Sequence, residues 1–484
     1  MIQFPKFLYD PVDIAVFYER ARAVEGSIPL GASELAHVEC GEQALEALPR
    51  LVHQFSGCNA AKVVVFQDTN EMSRDGESLK PLVARMLREA NIKTSICSFK
   101  FDDTGQLKTT PKNIEIAQQM IEPGVAVISL GSGCITDIVK HACFEFEKAT
   151  SKKVPFISIQ TANSVCAFTS RMSVITMNGV KRTVPSRLPD ALILDTHILR
   201  DAPPNFRTGG LGDVAVVAST FADLYLAQAM EMGSWNQTAF ETSVDLRELL
   251  LGGHPAVRDA GVVGQETAAK LLTIAGLSLT VSGDSAPLSG YEHVTSHMLD
   301  MAAHAYDRPV ANHGHQCALA TILTLLLYQH VFEAVDADRL DVENCIPDEA
   351  AMERKVMDTF RHVDPSDDAG RECLSDYRLK LTAWSARQAV LAYFMRSWRK
   401  QKADLEKHLM EPRAFVDLLR SFGHPLRFED LDVPISLEQV RWAFANAHLM
   451  RKRFTIGDFA FLTGVFTEVA VDRIIEQFYE LTRD

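Results

Sequence analysis

Every stretch that reads as a buried strand lies in the first 205 residues. Residues 62–66, 125–130, 154–159 and 191–195 are short apolar runs, and residues 92–99 are a further strand candidate. Such runs suit strands covered on both faces, because successive side chains point to opposite sides of a sheet. Helical spacing fills the gaps: Ala44, Leu45, Leu48, Leu51 and Val52 share one face, and residues 82–90 repeat the pattern. Strand and helix in alternation make an α/β domain with a largely parallel sheet. Residues 172–177 and 180–184, around Asn178-Gly179, read as a β-hairpin with an Asn-Gly turn. Ligands in such sheets sit beyond the carboxyl ends of the strands. Asp68, the turn Gly131-Ser132-Gly133 and Thr161 fall at those ends. The order strand, glycine turn, helix points backbone N–H groups at a phosphate. The turn lacks the GxGxxG spacing, and Asp137 on its own is an acid in the first turns of a helix, which the helix dipole favours.

After Pro203-Pro204 the texture changes, and from Leu211 onward the apolar spacing is helical. We expect residues 1–38 to form an N-terminal extension, 39–205 an α/β domain and 206–484 an all-helical domain. Residues 335–376 are charged and punctuated by proline, the pattern of an exposed loop or insertion between helices. Residues 396–407 read as a charge-dense, solvated helix.

Charge and cysteine usage narrow the class. A formal charge of -14 argues against a nucleic-acid surface. The 9 cysteines form no CxxC pair, so neither a disulfide framework nor a cysteine zinc site is expected. The first residues carry acids early and lack the apolar centre of a signal peptide. No uninterrupted apolar run reaches the roughly 18 residues of a membrane span. The expected setting is cytoplasmic, with no membrane partner.

Three segments carry candidate chemistry. Gly290-Tyr291-Glu292-His293-Val294-Thr295-Ser296-His297 sets two imidazoles four residues apart, on one helical face. Asn312-His313-Gly314-His315-Gln316 opens a long apolar run. Gly209-Gly210-Leu211-Gly212-Asp213 places an acid where a glycine turn gives way to a helix. A carboxylate with two histidines is a divalent-metal set that leaves room for substrate. Any one of these histidines alone would be an ordinary polar helix residue.

The pieces also come in a recognisable order. GSGxxxD follows a strand, then TAxS with a downstream Thr-Ser, then NGxKxTVPxxxPxAxxxDT. GxGD, SGxEHxxSH and HGxQ come next, and AxxxRxRFTxxD stands near the C-terminus. This series, spanning about residues 65–462, resembles the sn-glycerol-1-phosphate dehydrogenases. They sit within the superfamily of iron-containing alcohol dehydrogenases, glycerol dehydrogenases and dehydroquinate synthases. The resemblance implies a dinucleotide-binding, Rossmann-like N-terminal domain and a helical C-terminal domain. It implies a divalent metal held by Asp213, His293 and His313, with His297 near the reacting substrate. Gly131, Ser132, Gly133 and Asp137 match the pyrophosphate turn, and Asp68 the residue at the adenosine ribose. Thr161, Ser164 and Lys181 match positions lining the nicotinamide nucleotide. An acid at Asp68 favours NAD over NADP. Zinc, iron and nickel all suit the ligand set, with zinc expected. A homo-oligomer is expected, its interface on the helical domain.

Two positions depart from the family pattern. Its TAxSxDG loop has Cys166 for the aspartate and Ala167 for the glycine, and its HGE reads His313-Gly314-His315. Cys166 and His315 would make the substrate side less negative and weaken binding of dihydroxyacetone phosphate relative to another small phosphorylated or acidic carbonyl compound. The expected activity is a metal-dependent NAD(P) dehydrogenase acting on a small phosphorylated polyol, with His297 as a proton relay or an orienting hydrogen-bond partner. A sugar-phosphate cyclase of the dehydroquinate-synthase type, or a non-catalytic binding relative, are the alternatives.

Overall fold

The computed structural model describes residues 2–28, 35–56, 62–177, 180–340 and 345–483. Its strands are β1 (His37–Gly41), β2 (Lys62–Gln67), β3 (Ser73–Arg74), β4 (Glu77–Ser78), β5 (Lys93–Ser98), β6 (Ala126–Gly131), β7 (Phe156–Gln160), β8 (Met172–Met177), β9 (Val180–Pro185) and β10 (Ala191–Asp195). Six of them form one parallel sheet in the order β1-β10-β7-β6-β2-β5. The apolar runs explain the inner strands. Along β2, Val63 and Val65 join one core cluster while Val64 and Phe66 join the other. Both faces are therefore covered, as a parallel sheet requires. β5, at an edge, is largely exposed.

The strand order locates the ligand-binding end. From β2 the chain crosses to β5 on one side, then returns to β6 on the other and proceeds to β7 and β10. The reversal lies between β2 and β6, whose carboxyl ends carry Asp68 and the glycine turn. Such a switch point opens a crevice.

Contacts divide the chain into two compact units. The first takes residues 1–177, 181–214 and 237–284, and the second takes 178–180, 215–236 and 285–484. In the first unit the N-terminal residues are tied down: the N–H groups of Leu8 and Tyr9 donate to Asp245 at 2.8 and 2.7 Å. β1 begins within the stretch read as an extension. Its sequence, His-Val-Glu-Cys-Gly, buries only Val38 and gives no apolar run. The helix Val262–Ser282 belongs to this unit too and lies along residues 166–169, where a Cβ on Gly276 would meet the Cys166 carbonyl oxygen at 2.5 Å. β8 and β9 pair as a two-stranded sheet. The Asn178-Gly179 turn between them lies outside the described residues.

The second unit is helical. Where a loop or insertion was expected before residue 376, the helices Glu349–Arg361 and Asp368–Ser385 stand. Met352, Val356 and Phe360 form an apolar stripe at spacing four, which the surrounding charges mask in the sequence. Two helical stretches, Pro204–Ala229 and His313–Asp336, have the length and hydropathy of membrane spans, with 94% and 83% of those windows buried. A helix apolar on all sides and buried to that extent serves a protein core.

Candidate functional site

In the first unit the glycine turn follows from close approach. A Cβ on Gly131 would lie 2.7 Å from Ile135 Cβ, and one on Gly133 2.6 Å from Val165 Cγ2. Glycine at both positions lets the helix Gly133–Thr150 start directly on β6 and lets the loop after β7 close against it. Ser132 is the N-cap and makes no capping hydrogen bond through its side chain. The Thr161 N–H donates to the Gly131 carbonyl at 3.2 Å, which joins the two loops. Ser164 Oγ and Gln160 Oε1 are buried with no hydrogen-bond partner among the described residues. Buried polar atoms are seldom left unpaired. Two of them beside a glycine turn at the switch point fit a polar ligand such as a dinucleotide.

Asp68, 5% exposed, lies at the end of β2. Its carboxylate accepts from the Asn70 N–H at 3.0 Å and Nδ2 at 3.2 Å, and pairs with Lys80 Nζ at 3.3 Å. Lys80 is invisible as a partner in the sequence, and it offsets the charge behind the expected preference for NAD. Asp137 points into the protein. It pairs with the buried Lys140 at 3.0 Å and accepts from the Val174 N–H at 3.2 Å. Lys140 in turn donates to the carbonyls of Ala167, Ser170 and Met172. Asp137 thus braces the residue 167–172 loop. Lys181, on β9, is partly buried.

Asp213, 4% exposed, sits on the helix Pro204–Ala215, and its Oδ2 accepts from the Cys166 N–H at 3.0 Å. The glycines ahead of it have a packing reason: a Cβ on Gly210 would meet the Asn163 carbonyl oxygen at 2.1 Å. Asn163 is held in place by Gln160 Nε2 at 2.8 Å and by donation to Gln265. Burial first, then the Asp213 carboxylate, pushes the Cys166 thiol well above its ordinary pKa. It stays protonated, which removes it as a nucleophile.

In the second unit the helices Tyr291–Ala305 and His313–Asp336 bring three imidazoles together. Ring centroids are 6.5 Å apart for His293 and His297, 5.4 Å for His293 and His313, and 5.5 Å for His297 and His313. His293 Nδ1 faces Glu292 Oε1 at 3.2 Å, and His313 Nδ1 faces Ser296 Oγ at 3.0 Å. An Nδ1 oriented by an outer hydrogen bond is the arrangement of metal-binding histidines, and His313 Nε2 lies 3.5 Å from Cys317 Sγ. Ligand atoms of His293, His313 and Cys317 lie within 4.8 Å of one another. Cys317 stands one helical turn after His313, so spacing could have found it, but as a cysteine in an apolar run it reads as a small hydrophobe. Burial works to raise its pKa, yet the His293 and His313 imidazoles override burial and hold the Cys317 thiol below its ordinary value.

The surroundings of this cluster account for two further motifs. Buried Asp223 accepts from the N–H groups of Tyr291 and Ile456, both at 2.9 Å, and from the Tyr328 hydroxyl at 2.6 Å. A Cβ on Gly290 would lie 2.7 Å from Asp223 Oδ2 and 2.8 Å from Glu292 Oε2, so the Ser-Gly of the histidine motif makes room for two acids. Burial, then the neighbouring Glu292, raises the Asp223 carboxyl to about 7. In the C-terminal motif, Arg453 donates to the Ser289 carbonyl, Asp458 pairs with buried Lys380 at 2.6 Å, and Gly457 leaves space for the Tyr291 ring. That motif therefore anchors the start of the histidine helix.

His315 does not join the cluster. Two residues beyond His313, it turns to the other side of its helix and packs on His424, ring centroids 4.7 Å apart. Burial lowers its pKa to about 4. It is neutral at physiological pH, and its ring is engaged by His424 rather than by the histidine cluster.

Residues 39–203 match the family model of iron-containing alcohol dehydrogenases. Relatives similar in sequence include glycerol-1-phosphate dehydrogenases. The chain is 27% identical over 202 residues to the NAD(P)+ enzyme of Methanothrix thermoacetophila, a match covering 42% of this chain and 54% of that protein. It therefore spans about half the length of that relative. It is 23% identical over 445 residues to the Bacillus subtilis glycerol-1-phosphate dehydrogenase, covering 91% of this chain and 95% of the relative. The crystal structure of a probable glycerol dehydrogenase from Sinorhizobium meliloti is similar in fold, with a TM-score of 0.54 at 16% identity, covering 94% of this chain and 99% of that one.

Proposed function

We propose that this chain is a metal-dependent, NAD(P)-linked dehydrogenase that interconverts a small phosphorylated polyol and its carbonyl form. The observation that carries the reading is the convergence of His293 and His313 with both Nδ1 atoms engaged. Asp213 is the carboxylate we assign to the same cation, and zinc is the metal the donor set favours. Such a cation would polarise the substrate oxygen while the nicotinamide exchanges hydride with the carbon that bears it.

The protein's own tasks follow from its residues. Glu292 and Ser296 fix the ring orientations of His293 and His313. The Cys166 N–H holds the Asp213 carboxylate in a fixed position. His297, stacked at 5.5 Å on His313, takes up the alcohol proton on an imidazole nitrogen and returns it in the reverse direction. The Gly131–Gly133 turn receives the pyrophosphate, Asp68 faces the ribose, and Ser164 supplies a hydroxyl that has no hydrogen-bond partner among the described residues.

The test is a coupled measurement on zinc-loaded protein: metal content by mass analysis, and NADH and NADPH oxidation with dihydroxyacetone phosphate and a panel of small phosphorylated or acidic carbonyl compounds. About one metal per chain and turnover of at least one compound are expected. A metal-loaded protein inert towards the whole panel with both cofactors would overturn the reading.

A further inference from the structure

We propose that Cys317 is a ligand of the cation that His293 and His313 hold, so that the resting site contains sulfur as well as nitrogen and oxygen. The proposal deepens the metal reading above and rests on it. Cys317 is fully buried, on the first turns of the helix His313–Asp336. Its Sγ lies 3.5 Å from His313 Nε2 and 3.9 Å from Nδ1. A tetrahedral cation with nitrogen at about 2.0–2.1 Å and sulfur at about 2.3 Å separates those two ligands by about 3.5 Å. The observed distance is thus the edge of a coordination tetrahedron as well as the length of a thiol–imidazole hydrogen bond. His293 offers its ligand nitrogen within 4.8 Å of the same sulfur. Two imidazole nitrogens and a sulfur therefore converge from the second unit alone.

Coordination exchanges the S–H bond for a metal–sulfur bond and releases one proton to solvent, and the cation sheds a water. Asp213, assigned above to the same cation, would be the fourth protein ligand, a number that zinc accepts with room for one more. A thiolate also biases the site towards zinc and away from hard cations such as magnesium or manganese.

Cobalt(II) reports directly on sulfur ligation. Full-length protein is stripped with a chelator, reloaded with cobalt(II) and scanned from the near ultraviolet to the visible. Wild type should bind about one equivalent, with visible d–d bands and an intense near-ultraviolet thiolate-to-cobalt charge-transfer band. Cys317→Ser and Cys317→Ala should keep the visible bands, lose the near-ultraviolet band and bind cobalt at least about tenfold more weakly. Visible bands without the charge-transfer band in wild type would overturn the proposal while leaving the metal reading intact, whatever the variants do. A band that persists in folded Cys317 variants would assign the sulfur elsewhere and overturn it too. Wild-type protein that binds no cobalt would overturn both readings.

Discussion

A single lysine sets how much charge a bound nucleotide would meet at Asp68. Lys80 pairs with that carboxylate at 3.3 Å and also donates to the Asp68 main-chain carbonyl at 2.6 Å. An unpaired acid there would repel a 2′-phosphate. The paired one should discriminate weakly, so wild-type dissociation constants for NAD and NADP are expected to lie within about tenfold of each other. Lys80→Met leaves the carboxylate with Asn70 alone and should shift preference towards NAD by about ten- to a hundredfold, the scale of one charge-assisted interaction. Titration with both nucleotides checks this, and an unchanged ratio would refute it. Cys166 carries the other argument at this scale. With His315 neutral and packed on His424, the departure from the family's substrate loop reduces to this one position. If the family's aspartate accepts a hydrogen bond from a substrate hydroxyl, Cys166→Asp should raise kcat/KM for dihydroxyacetone phosphate by about ten- to a hundredfold. Steady-state kinetics decide it, and equal values in the two proteins would show that the position does not touch the substrate.

Elements are held to one another here by missing side chains, which is why the sequence exposed some of them and hid others. The helix Pro204–Ala215 can bear Asp213 because Gly210 lets it lie on the Asn163 carbonyl, where a Cβ would stand at 2.1 Å. Backbone cannot retreat as a flexible side chain can. Gly210→Ala should therefore cost about 1–3 kcal/mol of stability by overpacking and unseat the residue 161–166 loop. A lower urea midpoint together with weakened NAD binding is expected; a midpoint equal to wild type would mean that the helix does not rest there. Four of the six sheet strands, β2, β6, β7 and β10, were legible as apolar runs buried in the sheet, and the exposed edge strand β5 as a weaker candidate beside them. β1 was not, since only Val38 of its five residues is buried. The helical pair at 349–385 was hidden by its charges, although Met352, Val356 and Phe360 mark its inner face. Within the candidate site, the two histidines at spacing four declared a shared face. Lys80, the pairing of His315 with His424 and the Asp223–Glu292 acids join residues far apart in the chain, and no local pattern announces them.

Across the whole molecule, buried ionisable groups should make stability depend on pH in two opposed ways. His424 and His448 are buried in the second unit, and burial lowers His424 to about 3. His448, stacked on Phe461 at 4.3 Å, is lowered by burial and then by Lys380 and Lys355. A base whose folded pKa lies below its unfolded value of about 6.5 binds its proton first in the unfolded chain. Both histidines therefore withdraw stability as pH falls through 6.5. Asp223 acts with the other sign. Its folded value near 7 exceeds the ordinary aspartate value of 3.8, so the folded protein keeps a proton that the unfolded chain loses. That group withdraws stability as pH rises from about 3.8 towards 7. The raw stability curve sums these opposed slopes, and a difference between two proteins separates them. In His448→Phe one histidine leaves the balance while Asp223 and His424 remain. Relative to wild type, the variant should gain stability as pH is lowered from 7 to 5. The slope should approach about 1.4 kcal/mol per pH unit, the linkage of one proton. Urea unfolding at pH 7, 6 and 5 measures that difference. A gap that stays constant across the three pH values would show that His448 titrates alike in the folded and unfolded chains.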